Sequence, residues 1–271
     1  APEPNRELPV KAPEPVYDRE ADVRARRDDA REELGAKAES ELVEDSFLIF
    51  SPAARGALAG PIDITRRALA AYFNGRFETR PARVVSVYLF PDDAGYQRWC
   101  KTHGETKCSS PYGFYLGQDR KIVMNVGLGV GTLTHELVHP LVEADFPKAP
   151  DWLNEGIASL FEQFYLPRAG EIHGGKNWRL PRLKSGLGSK KEREVAGIVA
   201  LFGMSDEIFR GDQEDLHYAT ARYLCQWLDA KGQLWSFYHR YRDDVANDPT
   251  GERSFTAVVG RSPREVEAEW V

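Results

Sequence analysis

The stretch Thr132–Glu162, TLTHELVHPLVEADFPKAPDWLNEGIASLFE, carries His135 and His139 four residues apart, Glu136 beside the first, and Glu155 fifteen intervening residues past the second. At 3.6 residues per turn, positions four apart stand one above the other, so a helix here puts both imidazoles on one face. Glu136 projects about 100° around the axis from His135, beside any shared ligand rather than on it. Leu133, Leu137 and Leu141 recur at four-residue steps on another face and anchor the helix in a core. WLNEGIASLFE reads as a second helix, with Asp151 placed to cap it and Glu155 favoured in its first turn by the helix dipole. An antiparallel return brings that carboxylate to the histidine pair.

Two neutral imidazoles and one carboxylate give Zn2+ three protein ligands and leave a fourth position to water, the open arrangement of a catalytic site; a structural zinc is closed by four. The pattern therefore predicts one zinc per chain on His135, His139 and Glu155, with Glu136 as general base. A metal-free structural domain would leave these four residues aligned for no reason. Pro140, directly after the second histidine, removes a helical hydrogen bond to Glu136 and predicts a kink there.

Outward from this stretch, the sequence predicts strands and helices before it and helices after it. SFLIF (46–50) and RVVSVYLF (83–90) read as strands, with a helix over ITRRALAAYFNGRF between them and another running through Trp99. YGFYLGQDRKIVMNVG reads as a hairpin turning at Gly-Gln-Asp-Arg and feeding the histidine helix. Past the quoted stretch, helices are expected near 192–201, 215–230, 233–244 and 262–270. The glycine- and proline-rich segment 165–192 is expected to be a long loop in which His173 is a surface residue. Strands first and helices after define an α+β fold.

Ahead of the first strand, APEPNRELPVKAPEPV cannot bury enough surface to fold and reads as a tether. The charged, alanine-rich segment 17–45 reads as a surface helix, the alternative being an arm over the site. The expected organisation is thus 1–45 as tether and surface helix and 46–271 as the catalytic domain, mostly sheet over 46–131 and mostly helical over 132–271. The 271 residues carry a net charge of −6, which argues against a phosphate-backbone binder and so against nucleic acid as a partner. No apolar run is long enough to span a bilayer. The proline-rich start without Met resembles an exported protein after signal-peptide removal, so a secreted, periplasmic or lipid-anchored location is expected. Cys100 and Cys108 could close a small loop by one disulfide, whereas Cys225 reads as a buried small hydrophobe.

HELVH followed by WLNEGIASLFE resembles the gluzincin zinc metallopeptidases, in particular the peptidase-MA-like group and its aminopeptidases. The resemblance implies a zincin-like, thermolysin-like catalytic domain over about 46–271. It implies His135, His139 and Glu155 as zinc ligands, Glu136 as general base, and Ser159 as a serine supporting the ligands from behind. YATARYLCQWL is similar to the segment that carries the family's oxyanion-stabilising tyrosine, which falls on Tyr218; His217 beside it is a weaker candidate. The aminopeptidases hold the substrate amine with a glutamate on an edge strand, and the corresponding region here, KIVMNVGLGVG, has no acid. The implied activity is accordingly peptide or protein hydrolysis by an endopeptidase, with a substrate strand added to that edge. The runner-up is a zincin-fold interaction module without catalysis.

Overall fold

The computed structural model describes residues 16–52, 58–103, 108 and 110–270; the expected tether lies almost wholly outside them. The architecture is α+β. Five strands, β1 (Glu39–Val43), β2 (Phe47–Ser51), β3 (Val85–Phe90), β4 (Gly113–Leu116) and β5 (Lys121–Asn125), form a mixed sheet in the order β1-β2-β3-β5-β4. The three inner strands are parallel, and each outer strand runs antiparallel to its neighbour. FLIFS and VSVYLF are apolar except for Ser51 and Ser86 because β2 and β3 are buried on both faces. One face sends Phe47, Ile49, Val85, Val87, Leu89 and Met124 into the main core, while Leu48, Phe50, Tyr88, Phe90 and Val123 form a second core.

The second core is covered by α1 (Arg19–Leu34) and by α3 (Asp93–His103), which supplies Tyr96 and Trp99. Here the structure departs from the expected surface helix over 17–45. The helix stops at Leu34, where Gly35 takes φ +100°, and Glu39–Val43 becomes the edge strand β1. Its charges hid it, and charge on an edge strand is what discourages further pairing. α1 is fastened from beneath: buried Arg26 donates to Ser86 Oγ at 2.8 Å, and Asp22 pairs with Arg120 at 2.8 Å. At the far edge, the hairpin turns at residues 117–120 as expected. The segment KIVMN, however, is β5 and lies inside the sheet; the edge is β4.

The chain then turns helical: α4 (Gly131–Glu136), α5 (Val138–Asp145), α6 (Asp151–Leu160), α7 (Arg179–Gly188), α8 (Ile198–Phe202), α9 (Asp206–Phe209), α10 (Glu214–Ala230), α11 (Leu234–Asp244), α12 (Glu252–Val259) and α13 (Pro263–Trp270), with a small β6–β7 ribbon (Phe164–Tyr165 and His173–Gly174) after α6. The expected long loop is therefore corrected in its second half. Pro181 sits in the first turn of α7, where a missing N–H costs nothing. Leu183 then packs with Leu216, Ala219 and Tyr223 of α10.

α6 and α10 lie unusually close. A Cβ on Gly156 would meet Cys225 Sγ at 2.9 Å and the Ala221 carbonyl oxygen at 3.0 Å, so only glycine admits this approach. Cys100 and Cys108 are joined in a disulfide, and Cys225 is buried with its thiol pKa pushed up by desolvation, unsuited to nucleophilic work. Among the described residues, no helix is long and apolar enough to cross a membrane.

Candidate metal centre

β5 delivers the chain into α4, and α4 continues into α5 with a division at Leu137. The division falls where Pro140 removes the hydrogen bond to the Glu136 carbonyl. Leu137 keeps near-helical angles, φ −64° and ψ −25°, so the side chains on either side remain on one spiral. Leu133, Leu137 and Leu141 are fully buried in the main core. Thr134 fixes α4 against the end of α6 by donating to the Phe161 carbonyl at 2.7 Å, and Tyr72 donates to the Thr134 carbonyl at 3.0 Å.

This packing brings the four residues together. Ligand atoms of His135, Glu136 and His139 lie within 4.8 Å of one another. Glu155 reaches in from α6, its Oε2 3.3 Å from His135 Nε2 and its Oε1 4.0 Å from His139 Nε2. Both imidazoles turn Nδ1 away from the cluster toward an acceptor. His139 Nδ1 is 3.0 Å from Asn154 Oδ1, and His135 Nδ1 is 3.5 Å from Glu162 Oε1. At His139 the acceptor at Nδ1 places the ring proton there and leaves Nε2 as the free donor atom for an ion, whereas His135 Nδ1 is buried with no hydrogen-bond partner, the Glu162 carboxylate lying near it.

The donor set fits a divalent cation on a further observation. Glu155 Oε2 is buried and has no hydrogen-bond partner, although burying a bare carboxylate oxygen is costly. A divalent cation between Glu155 and the histidines would supply the partner that this oxygen lacks. Burial opposes a charge on His135, yet the Glu155 and Glu162 carboxylates and the nearby Glu136 raise its pKa to about 10. Burial likewise opposes charge on Glu155, but His139, His135 and Arg210 hold it well below the ordinary carboxylate range. A divalent cation at this site would compete with a proton for His135.

The remaining expected residues divide. Tyr218, on α10, lines the same cleft of about 1020 Å³ as His135 and Glu136. Burial and the Glu155 charge raise its phenol pKa, so it keeps its proton at neutral pH and can donate it. His217 is turned elsewhere: it is buried, with Nδ1 3.0 Å from the Phe209 carbonyl. Ser159 does not support the histidines, since its buried Oγ has no hydrogen-bond partner. Glu162, seven residues past Glu155, stands behind His135 instead. It is clamped by Arg179 through two bonds of 2.7 and 2.9 Å and by Asn177 at 2.8 Å. Asp151 caps nothing with its side chain; Asp206 accepts from its backbone N–H, and its own carboxylate pairs with Arg210. His173 is half-buried against Asp229, away from the cluster.

Asn154, Glu162 and Arg210 were not expected from the sequence. Asn154 is the residue immediately before Glu155, and Glu162 follows seven residues after Glu155, just past the end of α6, so both left a signal in their spacing. Arg210 left none, because it arrives from a turn between α9 and α10. No family model matches this chain and no curated protein matches it in sequence, so the likeness to the gluzincins rests on the quoted residues and this geometry.

Proposed function

We propose that this protein is a zinc-dependent hydrolase, a metallopeptidase of the gluzincin type on a zincin-like fold, acting within peptide chains. The observation that carries the reading is the convergence of His135, His139 and Glu155 from two helices around a carboxylate oxygen with no other partner. His135, His139 and Glu155 would hold the ion and leave one side open to the cleft. When bound, zinc supplies a Lewis acid and lowers the pKa of a coordinated water to about 7.

Glu136 faces the cleft within reach of the cluster and serves as the base that takes the water's proton, later returning it to the leaving amine. Tyr218 keeps its phenolic proton and donates a hydrogen bond to the substrate carbonyl oxygen as that oxygen gains charge, an interaction strongest in the transition state. Substrate reaches these groups along β4, the sheet edge next to α4, which carries no acid to capture a free amine. An extended peptide pairing there would be cut internally. The Cys100–Cys108 bridge supports an exported location, since such bonds persist in oxidising compartments.

The test is cleavage of mixed-sequence peptides by zinc-loaded wild type and Glu136→Gln. The variant is expected to keep zinc and lose roughly 10²–10⁴ in turnover. A Glu136→Gln enzyme as active as wild type would remove the mechanism.

A further inference from the structure

Arg210 sits in the turn between α9 and α10 and reaches across to three partners at once. Its Nε donates to Asp151 Oδ2 at 2.7 Å, one terminal nitrogen donates to Glu155 Oε1 at 2.6 Å, and the other donates to the Tyr218 hydroxyl oxygen. Glu214 lies 3.9 Å away on the same side. The fork divides the two oxygens of Glu155 between two tasks. Oε1 is taken by the guanidinium, while Oε2, with no hydrogen-bond partner, faces His135 Nε2. At Tyr218 the guanidinium donates to the hydroxyl oxygen, which leaves the phenolic proton available for donation beside the Glu155 carboxylate. Arg210 itself does not line that cleft.

We propose that Arg210 is a positioning residue that presents one oxygen of Glu155 to the metal and ties that ligand to the oxyanion-stabilising Tyr218; this rests on the metallopeptidase reading. A planar fork can hold a carboxylate and a phenol in fixed register, whereas a lysine ammonium is a point charge on a flexible stem. Asp151 keeps the guanidinium from swinging out into solvent, where its side chain is already 42% exposed. Hydrogen-bonded partners behind a metal ligand typically contribute 10–100-fold in metal affinity.

Two effects of Arg210 on the metal have opposite signs. Repulsion between the guanidinium and a divalent ion weakens binding, and orientation of Glu155 strengthens it. Orientation of Glu155 outweighs the repulsion. The experiment is chelator competition for zinc, with the visible spectrum of the cobalt-loaded protein, on wild type, Arg210→Lys, Arg210→Met and Asp151→Asn, each checked for native melting. Both Arg210 variants should bind zinc roughly 10–100-fold more weakly. Their cobalt bands should change intensity as the freed Glu155 Oε1 alters the ligand number, and Asp151→Asn should change in the same direction by less.

In peptide turnover the Arg210 variants should lose kcat with KM little changed, because Arg210 is not a wall of the cleft. Unchanged or tighter zinc binding in the Arg210 variants, with wild type binding zinc normally, overturns the inference and leaves the metal site standing. Lysine behaving as arginine would mean that charge alone matters and also overturns it, as would an effect confined to KM. Wild type that binds neither zinc nor cobalt removes the metallopeptidase reading and the inference together.

Discussion

Tyr218 and Glu155 illustrate how much one residue's neighbours decide its chemistry. Each carries a group that would be ordinary in water. Here burial and the Glu155 charge keep the Tyr218 phenol protonated, and the cations around Glu155 keep its carboxylate ionised despite desolvation. Tyr218→Phe removes the donor and keeps every metal-ligating side chain, with Arg210 still bonded to Glu155, so zinc content should stay near the wild-type level while kcat falls by roughly 10²–10³. Unchanged turnover would return Tyr218 to a packing role. His135, Glu136 and His139 were legible in the sequence because helix periodicity alone puts them in register, and Glu155 because a second helix returning antiparallel brings it to them. Arg210 was not, since it meets Glu155 through a contact 55 residues distant in sequence. Ser159 shows the converse: the motif match placed it among the residues supporting the ligands, yet its Oγ has no hydrogen-bond partner, while the Glu162 carboxylate stands 3.5 Å from His135 Nδ1.

At the level of elements, the site depends on how closely α10 lies on α6. Gly156 sets that distance, one residue past Glu155 and against Ala221 and Cys225. Gly156→Ala is expected to force the helices apart, destabilising the fold by about 1–3 kcal/mol and lowering turnover through Tyr218 more than zinc content. Thermal melts with metal analysis check this; a variant as stable and as active as wild type would show that the close approach is not required. The elements that escaped the sequence did so for identifiable reasons. β1 is too charged to resemble a core strand, because it lies at an edge. α7 contains Pro181 and two glycines, and its helicity comes from packing of Leu183 on α10 rather than from propensity. α2 (Ala59–Tyr72) begins five residues before the expected Ile64, its Pro61 lying in the first turn where proline is tolerated.

Across the whole molecule, buried Asp145 joins distant parts of the chain. At the end of α5 it accepts from the backbone N–H of Glu78 and Thr79, at 3.1 and 2.6 Å, and pairs with Arg242 of α11 at 2.9 Å. Burial pushes its pKa up, but these donors outweigh burial and lower it below the ordinary value of 3.8. A carboxylate with a lowered folded-state pKa contributes stability above its unfolded pKa and loses it as the pH falls through the folded one. Asp145→Asn should therefore cost on the order of 3 kcal/mol near neutrality, as expected for breaking a buried pair, with the gap to wild type closing below about pH 4. Denaturant melts at several pH values measure it, and a gap independent of pH would mean that the ionised form is not what stabilises the fold.

Metal content decides whether the chain is a metalloprotein. Purified wild type and His139→Ala, dialysed without strong chelator, would be analysed by elemental mass spectrometry. About one zinc per folded wild-type chain is expected, lost in His139→Ala. Folded wild type that holds no zinc, even after zinc is added back, would contradict it.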